Sequence, residues 1–428
     1  MNSVEKLLQT LCPHGVEFRK LGEVCEFQNK KTLKTSEVKN NGKYPVINSG
    51  RDLYGYYHDF NNDGENITIA SRGEYAGFVN YFNEKFFAGG LCYPYKVKNS
   101  NKLLTKFLYF YLKANESQIM ENLVIRGSIP ALNKADIETL PIPLPPLEVQ
   151  REIVKILDTF TELNTELNTE LKLRKKQYEY YRNWLLSFGD VDASKEGAEQ
   201  RLRNKSYPKA LKALLLSLCP HGVEFRKLGE VGEYIRGVTY RKSQEINGQG
   251  CGIKVLRANN ITLSNHLNFE DIKTIDKSVK IRKEQYLKKN DILICAGSGS
   301  SEHIGKVAFI DANSDYVFGG FMGVIRIREL NSRFVYHVFT SNIFKQYLEK
   351  SLNTTTINNL NANVLQNFKI PLPPLEVQRE IVKILDDFST LTEDLSSGIP
   401  AEIAARKKQY EYYRDKLLTF TPLIKEGE

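Results

Sequence analysis

The sequence has few of the residues that build metal sites, disulfides or membrane spans. Its six cysteines are scattered and include no Cys-x-x-Cys pair: Cys12, Cys25, Cys92, Cys219, Cys251 and Cys295. We therefore expect neither a zinc site nor a disulfide framework. No window approaches the roughly 18 apolar residues of a membrane span, and residues 1–10 lack the apolar core of a signal peptide. These absences predict a reduced, cytoplasmic protein with no membrane partner.

Familiar catalytic signatures are also missing. A Walker A loop is excluded because Ser300 stands where that loop needs glycine and Val307 follows Lys306. The sequence has no Asn/Asp-Pro-Pro-Tyr/Phe methyltransferase signature, no His-Glu-x-x-His and no Gly-x-Ser-x-Gly. His14 and His221 lie in a repeated Cys-Pro-His-Gly without an acidic or nucleophilic partner nearby in sequence, so we interpret them as parts of a structural turn. The sequence predicts no catalytic residue and no metal ligand.

What the chain does contain is typical of a globular protein with two or three domains. It has 428 residues, of which 41% are hydrophobic and 11% aromatic. The formal net charge is +9 and the pI is about 9.0. This excess permits binding to nucleic acid, although a charge that maintains solubility explains it equally well.

The clearest feature is an internal duplication. Long identical segments cannot recur by chance, so the chain contains two copies of one frame. Three segments occur twice, letter for letter: LCPHGVEFRKLGEV at residues 11–24 and 218–231, IPLPPLEVQREIVKILD at 142–158 and 370–386, and RKKQYEYYR at 174–182 and 406–414.

The segments between these repeats differ from one another. Residues 44–97 and 254–328 share little beyond general character. A duplicated enzyme would tend to keep its active-site residues in both copies, whereas this chain keeps the frame and changes the inserts. The pattern indicates a protein that reads two different targets from one frame.

Each insert is predicted to be a small α+β domain with a twisted, mostly antiparallel sheet. Short β-type runs separated by turn residues begin at Tyr44, Asn66 and Phe78 in the first insert. The second insert has similar runs that begin at Gly252, Asp291, Lys306 and Gly323. A helix is predicted after each set of strands, at 103–114 and at 332–351.

Basic and polar residues recur in the predicted loops of both inserts. From residue 223 to residue 370, 21 Lys and Arg stand against 14 Asp and Glu. Arginine reads guanine and asparagine reads adenine in the major groove, while Ser, Thr and Lys suit phosphates. Any one of these residues alone is more typical of a solvated loop. Together they predict DNA contacts by Arg72, Tyr75, Arg126, Arg236, Thr239, Arg241, Lys242, Arg257, Asn259, Asn260, Ser298 and Lys306.

The repeated frames carry heptad seams, which predict long helices that begin after Pro-Pro. The first helix should extend over roughly 40 residues, and the second should break between Ser396 and Pro400 around Gly398. We expect the two helices to pair antiparallel with pseudo-two-fold symmetry; the alternative is that their seams pack on the inserts. The seam residues, which serve pairing or partner docking, are Val149, Ile153, Ile156, Phe160, Leu163, Leu167, Val377, Ile381, Ile384, Phe388 and Leu391.

The first helical frame contains a tandem four-residue repeat. Residues 161–172 read TELN-TELN-TELK. Each unit lengthens a helix by about 6 Å, or nearly two base pairs at about 3.4 Å per pair. The repeat predicts a ruler between two reading domains, although replication slippage in a solvent-facing helix also explains its presence.

The whole layout resembles the specificity subunits of type I restriction–modification systems, the HsdS family. The paired PLPPLEVQREIV frames, the RKKQYEYYR segments and the two dissimilar inserts carry the resemblance over nearly the whole chain. Within the inserts, Gly73 with Gly77, Gly237-Val-Thr239, and Asp291-Ile-Leu-Ile before Gly305-Lys306-Val resemble recurring elements of target recognition domains.

The resemblance implies a function without catalysis in this chain. Each recognition domain would read one half of a bipartite site in double-stranded DNA, while the helices set the spacing and bind two methyltransferase subunits. Those partners would carry S-adenosylmethionine and flip out an adenine for methylation. Restriction subunits would join with ATP and Mg²⁺, so this chain itself would bind no cofactor.

The predicted fold class is α+β, with two α/β target recognition domains separated by two long helices that pair as an antiparallel coiled coil. The predicted domains are recognition domain 1 at 1–141, helix 1 at 142–188, a linker with a short helix at 189–217, recognition domain 2 at 218–369 and helix 2 at 370–428. Two other functions remain open from the residues, namely an orphan or silent specificity cassette and a coiled-coil adaptor that does not touch DNA.

Overall fold

The computed structural model describes residues 2–188, 206–246, 252–298, 301–352, 360–393 and 397–423. The chain divides into two compact units. Unit 1 comprises Met1–Thr169 and Ala401–Glu428, and unit 2 comprises Glu170–Pro400. Unit 1 thus combines both ends of the chain. Within it, Val16 N donates to Thr421 O at 2.8 Å and Leu423 N donates to Val16 O at 2.9 Å.

Unit 1 is built on two small sheets and two short strand pairs. The strands are β1 (Phe18–Lys20), β2 (Cys25–Phe27), β3 (Tyr44–Ile47), β4 (Gly55–Tyr57), β5 (Glu65–Ala70), β6 (Val79–Asn83), β7 (Phe87–Ala88), β8 (Cys92–Val97), β9 (Val124–Ile125), β10 (Ala131–Leu132) and β11 (Pro141–Pro143). A four-stranded antiparallel sheet has the order β2-β8-β5-β6, and a three-stranded sheet has the order β4-β3-β7 with β3 and β7 parallel. The strand pairs are β1-β11 and β9-β10. The helices are α1 (Asn2–Leu11), α2 (Leu21–Val24), α3 (Thr105–Ala114), α4 (Glu116–Leu123), α5 (Lys134–Glu138) and the first part of α6 (Leu147–Leu186), with a 3-10 turn at Thr35–Glu37.

Unit 2 repeats this plan. The strands are β12 (Glu224–Lys227), β13 (Gly232–Arg236), β14 (Glu245–Ile246), β15 (Ile253–Leu256), β16 (Lys273–Ile275), β17 (Ile292–Cys295), β18 (Val307–Phe309), β19 (Val317–Phe318), β20 (Met322–Ile327) and β21 (Lys369–Leu372). A four-stranded antiparallel sheet has the order β13-β20-β17-β18, and a second sheet has the order β14-β16-β15-β19 with β15 and β19 parallel. The helices are α7 (Lys209–Leu218), α8 (Leu228–Val231), α9 (Ser332–Phe339), α10 (Asn342–Leu352), α11 (Ala362–Asn367) and α12 (Leu375–Glu393), and α13 (Ile399–Leu417) returns to unit 1. The 3-10 turns are Lys242–Gln244, Ala258–Asn260, Lys283–Gln285 and Ser301–His303.

Two details of the predicted inserts are wrong. Apart from short two-stranded pairings, each insert has two sheets where one was expected, because β3 and β15 pair in parallel with β7 and β19, and none of these strands belongs to the four-stranded antiparallel sheet of its unit. The predicted helix at 332–351 is two helices, α9 and α10. The break falls at Thr340 and Ser341, whose hydroxyls donate to His337 O at 3.1 Å and Val338 O at 2.7 Å. Such local side-chain bonds compete with the helical backbone ladder.

The repeated segments hold the two ends of each insert together. In unit 1, β1 pairs antiparallel with β11, with Phe18 opposite Pro143. In unit 2, β12 pairs with β21 in the same register, with Phe225 opposite Pro371. Each insert therefore leaves the frame and returns to it at one place, so its contents can change while the frame keeps its pairing.

Polar contacts also tie each insert to its helical frame. Gln150 Oε1 accepts Leu104 N at 2.8 Å, and the repeated Gln378 Oε1 accepts Asn331 N at 2.9 Å. Further along the same helix, Asp158 Oδ2 pairs with Lys106 Nζ at 2.8 Å. The repeated Asp386 pairs in the same way with Arg333 at 2.9 Å and also contacts the buried His337 Nε2 at 2.9 Å. The same glutamine and aspartate of the frame thus hold the insert in both units.

The expected antiparallel helix pairing is confirmed, and it occurs within each unit. The predicted helix of roughly 40 residues is α6, which has 40 residues. In unit 1, its Phe160 stacks on Tyr413 of α13, with ring centroids 5.6 Å apart and planes at 30°. In unit 2, Tyr181 of α6 stacks on Phe388 of α12, at 5.5 Å and 29°. The two stacks join the same pair of repeat positions, since Phe160 corresponds to Phe388 and Tyr181 to Tyr413.

The seam residues pack against the inserts as well as against the other helix. Val149, Ile153, Val377 and Ile381 are buried and pack in the cores of their units together with insert residues such as Phe107 and Phe334. Ile156, Phe160, Leu167, Ile384 and Phe388 are half-buried. Leu163 and Leu391, however, are exposed, so at this level the intrachain pairing that we predicted does not bury the seam.

The predicted break in the second frame is confirmed. Helix α12 ends at Glu393 and α13 begins at Ile399, with Pro400 in its first turn, where proline suits a helix. Ser396 lies outside the described residues. So does the part of the predicted linker at 189–205, whereas the short helix expected after it is α7.

Candidate nucleic-acid interface

The largest group of predicted contact residues in unit 2 surrounds one cleft of about 570 Å³. The cleft lies where the loops after β13, β15, β17 and β19 meet. It holds three cations and one carboxylate, Glu245, so it favours an anion. Six of the predicted contact residues line it: Arg236, Thr239, Lys242, Arg257, Asn259 and Ser298.

Backbone hydrogen bonds bring these loops together. Val238 N donates to Phe318 O at 2.7 Å, and Gly319 N donates to Leu256 O at 2.9 Å. The approach is so close that a Cβ at Gly237 would overlap the carbonyl oxygen of Gly319. Only glycine fits at this position, which accounts for the Gly237-Val-Thr239 element noted in the sequence.

Asn260 and Lys306 are placed inside the domain, so the DNA contacts that we predicted for them are not supported. Asn260 is buried; its Oδ1 accepts Arg257 N at 2.8 Å and its Nδ2 donates to Asn268 O at 2.9 Å. Lys306 is also buried, and its Nζ donates to the carbonyl oxygens of Ala258 and Ile261. Burial lowers the pKa of the Lys306 ammonium. Both side chains hold the loop that carries Arg257 and Asn259.

Two other predicted contact residues, Arg257 and Arg241, differ in the contacts of their side chains. Arg257 Nη2 pairs with Asp271 Oδ2 at 2.8 Å, which orients the guanidinium at the cleft. Arg241 is exposed and does not line the cleft. Its backbone N donates to Gln244 Oε1 at 2.8 Å, so its peptide starts the 3-10 turn that carries Lys242.

Unit 1 brings its three predicted residues onto neighbouring loops. Arg72 and Tyr75 are exposed in the loop after β5, and Arg126 is exposed in the loop between β9 and β10. Gly73 N donates to Pro130 O at 2.9 Å, so the two loops contact each other. The surface carrying these residues corresponds to the side of unit 2 that carries the cleft, because Leu132 N bonds to Ser71 O as Leu360 N bonds to Ala296 O.

The sequence did not reveal which residues of the two inserts occupy equivalent positions. Lys31 N donates to Ala88 O at 3.0 Å, as Val238 N does to Phe318 O, which makes Thr32 the counterpart of Thr239. The turn after β7, Gly89-Gly90-Leu91, likewise corresponds to Gly319-Gly320-Phe321 after β19. A Gly-Gly pair before an apolar residue in both inserts was the signal that could have revealed this turn.

The cleft allows a prediction about salt dependence. Lys242→Ala should weaken DNA binding without changing the preferred sequence, because lysine contacts phosphates as a point charge. The slope of log K against log salt should become shallower by about 0.9. Filter or fluorescence binding between low and moderate salt measures this slope. Lys289→Ala, an exposed lysine away from the cleft, is the matched control. An unchanged slope for Lys242→Ala would exclude a phosphate contact.

Comparison with known proteins agrees with the architecture. Two solved structures share the fold. One is the S subunit of a type I restriction–modification system from M. genitalium, with a TM-score of 0.53, 18% identity and coverage of 94% of this chain and 95% of that one. The other comes from work on complex assembly and conformational transition of the type I R-M system, with a TM-score of 0.54, 19% identity and coverage of 94% and 97%.

Relatives in sequence cover the chain from end to end. The specificity subunit of the Escherichia coli type I restriction enzyme EcoR124I/EcoR124II is 29% identical over 98% of this chain and 97% of its own length. A Haemophilus influenzae protein with a provisional name as a type I restriction enzyme specificity subunit is 33% identical over 98% of both chains.

The model of the type I restriction modification DNA specificity domain matches twice, at residues 13–174 and 220–405. Each match covers the first two repeated segments of one copy and the insert between them, and it ends at the start of the RKKQYEYYR segment. The chain therefore belongs to this family of specificity subunits.

The described residues contain neither a candidate membrane span nor a candidate metal site. None of the described helices combines the length and apolarity needed to cross a membrane. Over the same residues, His, Cys, Asp and Glu side chains form no group of three or more that could hold a metal ion.

Proposed function

We propose that this chain is the DNA specificity subunit of a type I restriction–modification complex. The observation that carries the proposal is the cleft in unit 2, where six polar and basic side chains converge on loops of a variable insert. Unit 1 presents Arg72, Tyr75 and Arg126 on the corresponding loops. Each insert would read one half of a bipartite site in double-stranded DNA, with arginine and asparagine at base edges.

The chemistry would reside in partner subunits. Two methyltransferase subunits would bind S-adenosylmethionine and methylate adenine, and restriction subunits would supply cleavage with ATP and Mg²⁺. This chain would act without catalysis, by holding those partners on the chosen sequence. Its place would be the cytoplasm, where DNA and these partners meet.

An identical pair of exposed tyrosines supports two copies of one partner. Tyr178 and Tyr181 of the first RKKQYEYYR segment face the interior of unit 2, whereas Tyr180 points outward and is 64% exposed. The repeated Tyr412 is 62% exposed. Tyrosine is enriched among the residues that dominate binding energy at interfaces. Two equal surfaces fit two equal partners, and we assign the methyltransferase subunit to both.

Substitution of these tyrosines gives a graded prediction. Tyr412→Ala should yield complexes with one methyltransferase subunit per specificity subunit, and Tyr180→Ala with Tyr412→Ala should yield none. An interfacial anchor of this kind contributes about 2 kcal/mol or more. Native mass spectrometry of the copurified complex measures the stoichiometry. Leu173→Ala on the same exposed helical segment is the control, since Ala405 stands at its repeat position. Unchanged stoichiometry in the double variant would reject this docking surface.

The function itself is tested by mapping methylated adenine across the host genome with and without this gene. Loss of methylation at one split sequence would establish the subunit and name its target. If no sequence loses methylation although the chain and a methyltransferase are expressed, the proposal is wrong. A silent cassette or an adaptor without DNA contact would then be distinguished by salt-dependent DNA binding, which only a reader of DNA has.

A further inference from the structure

Phe321 is an exposed aromatic side chain at the tip of a rigid turn. It is 71% exposed and forms no ring contact with another described aromatic residue. Its backbone is fixed, since Ala296 N and Gly297 N both donate to Phe321 O at 2.9 Å, and Met322 N donates to Gly319 O at 2.7 Å. The turn holds its main chain firmly while the ring itself projects from the domain.

The position of Phe321 relates it to the candidate interface. Phe321 lines the cleft of about 570 Å³ and also a second cleft of about 520 Å³, and Gly320 and Arg236 line both. The ring therefore stands on the ridge between two depressions. The first cleft is basic, while the second balances Arg236 and Arg282 with Glu233 and Glu284. A polyanion bound in the basic first cleft would pass beside the exposed ring of Phe321.

Unit 1 carries the same turn with a different tip. Ser71 N donates to Leu91 O at 2.9 Å, as Ala296 N does to Phe321 O, and Gly89 N bonds to Ile47 O as Gly319 N bonds to Leu256 O. Leu91 is also exposed. The backbone of the turn is thus kept in both inserts, whereas the size and shape of the apolar tip change. A fixed backbone that carries a variable apolar side chain is the arrangement expected of a residue that helps to set the preferred DNA sequence.

We propose that Phe321 contacts the apolar surface of a DNA base and helps to determine the half-site read by unit 2. Leu91 would have the same role in unit 1. The chemistry that fits is apolar, either the methyl group of thymine in the major groove or the face of a base at a step opened by an inserted side chain. This inference depends on the proposed DNA-reading function and adds a residue to it.

The variant Phe321→Ala tests the proposal in the full chain copurified with its methyltransferase subunits. The probe is a duplex carrying the bipartite site that the methylation map names. Binding should weaken about tenfold, in the range of a lost base contact, and discrimination should relax at one or two adjacent base pairs of one half-site. The salt slope should not change, because no charge is removed. Phe321→Leu, which installs the residue found at position 91, should retain most of the affinity.

Two modified duplexes separate the two kinds of apolar contact. If Phe321 contacts a thymine methyl group, uracil at that position should weaken the wild type and leave Phe321→Ala unaffected. If the ring enters a base step, 2-aminopurine at that step should brighten on binding to the wild type and not to Phe321→Ala. If neither duplex responds, Phe321 makes no base contact and the proposal is wrong.

A matched control keeps this result apart from a failure of the proposed function. Leu263→Ala removes a similarly exposed apolar side chain from unit 2 outside the two clefts and should bind like the wild type. Equal affinity and equal discrimination for Phe321→Ala and Leu263→Ala would overturn the role of Phe321 while DNA reading stands. A wild-type complex without any sequence preference would overturn the proposed function itself.

Discussion

Deletion of residues 165–168 is expected to abolish methylation at the original split sequence and to move it to a new one. The new sequence should keep both half-sites and have a spacer about two base pairs shorter. One TELN unit contributes about 6 Å to a helix, and a base pair occupies about 3.4 Å of the duplex. The three four-residue repeats lie within α6, which is continuous from Leu147 to Leu186. If α6 is the ruler that the repeat predicts, a shorter α6 selects half-sites that are closer together.

The structure explains why the number of four-residue TELN repeats can change without loss of the fold. The repeat is mostly exposed, and even Leu163 is not buried. Its polar side chains bond to their own helix: Thr165 Oγ1 donates to Thr161 O at 2.8 Å and Thr169 Oγ1 donates to Thr165 O at 2.9 Å. Each of these bonds reaches the threonine carbonyl of the preceding repeat, so after removal of one repeat the next threonine can bond to the same carbonyl and few partners are orphaned.

A variant of unchanged length provides the control for this deletion. Thr165→Ala with Asn168→Ala removes the polar groups but keeps four residues, so it should methylate the original sequence at the original spacing. Adenine methylation mapped genome-wide compares the three chains directly. If the deletion changes either half-site, or leaves the spacer as it was, α6 does not set the spacing.

Asp291→Ala is expected to lower the local stability of the recognition domain in unit 2 by about 3–5 kcal/mol. Asp291 is buried, and its two carboxylate oxygens accept Arg326 Nε and Nη2, both at 2.8 Å. Its Oδ2 also accepts Lys288 N at 2.8 Å. Removing the carboxylate leaves a largely buried guanidinium without its partner. The hydrogen bond and the Coulomb attraction from Asp291 raise the pKa of the Arg326 guanidinium above its ordinary value.

Amide exchange provides the local measurement, because a chain with two units need not unfold in one step. Protection should fall in β17, which directly follows Asp291, and in β20, which carries Arg326. It should persist in β5 and β8 of unit 1. Asp291→Leu with Arg326→Met replaces the pair by apolar residues and should recover much of the loss. If Asp291→Ala exchanges like the wild type, the ion pair does not stabilise the sheet.

The sequence was sufficient for features that depend on repetition and periodicity. Identical segments revealed two copies of one frame, and the seam from Val149 to Phe160 predicted a helix that the structure shows as α6. Burial of one helical face is a local consequence of residue spacing, so it can be read without tertiary information. Loop composition also selected Arg236, Thr239 and Asn259, which the structure groups around one cleft; their contact with DNA stays a prediction.

Tertiary structure decided which of the chosen side chains reach the surface. Asn260 and Lys306 have the same residue types as genuine surface candidates, but buried carbonyl groups nearby take their hydrogen bonds. The exposure of Phe321 depends on a turn held by strands that are distant in the chain. Sequence by itself determined the duplication, the helical frames and the location of the variable inserts, because these follow from repetition and spacing. Only the tertiary structure decided which residues line the interface, because burial and hydrogen-bond partners come from segments brought together by folding.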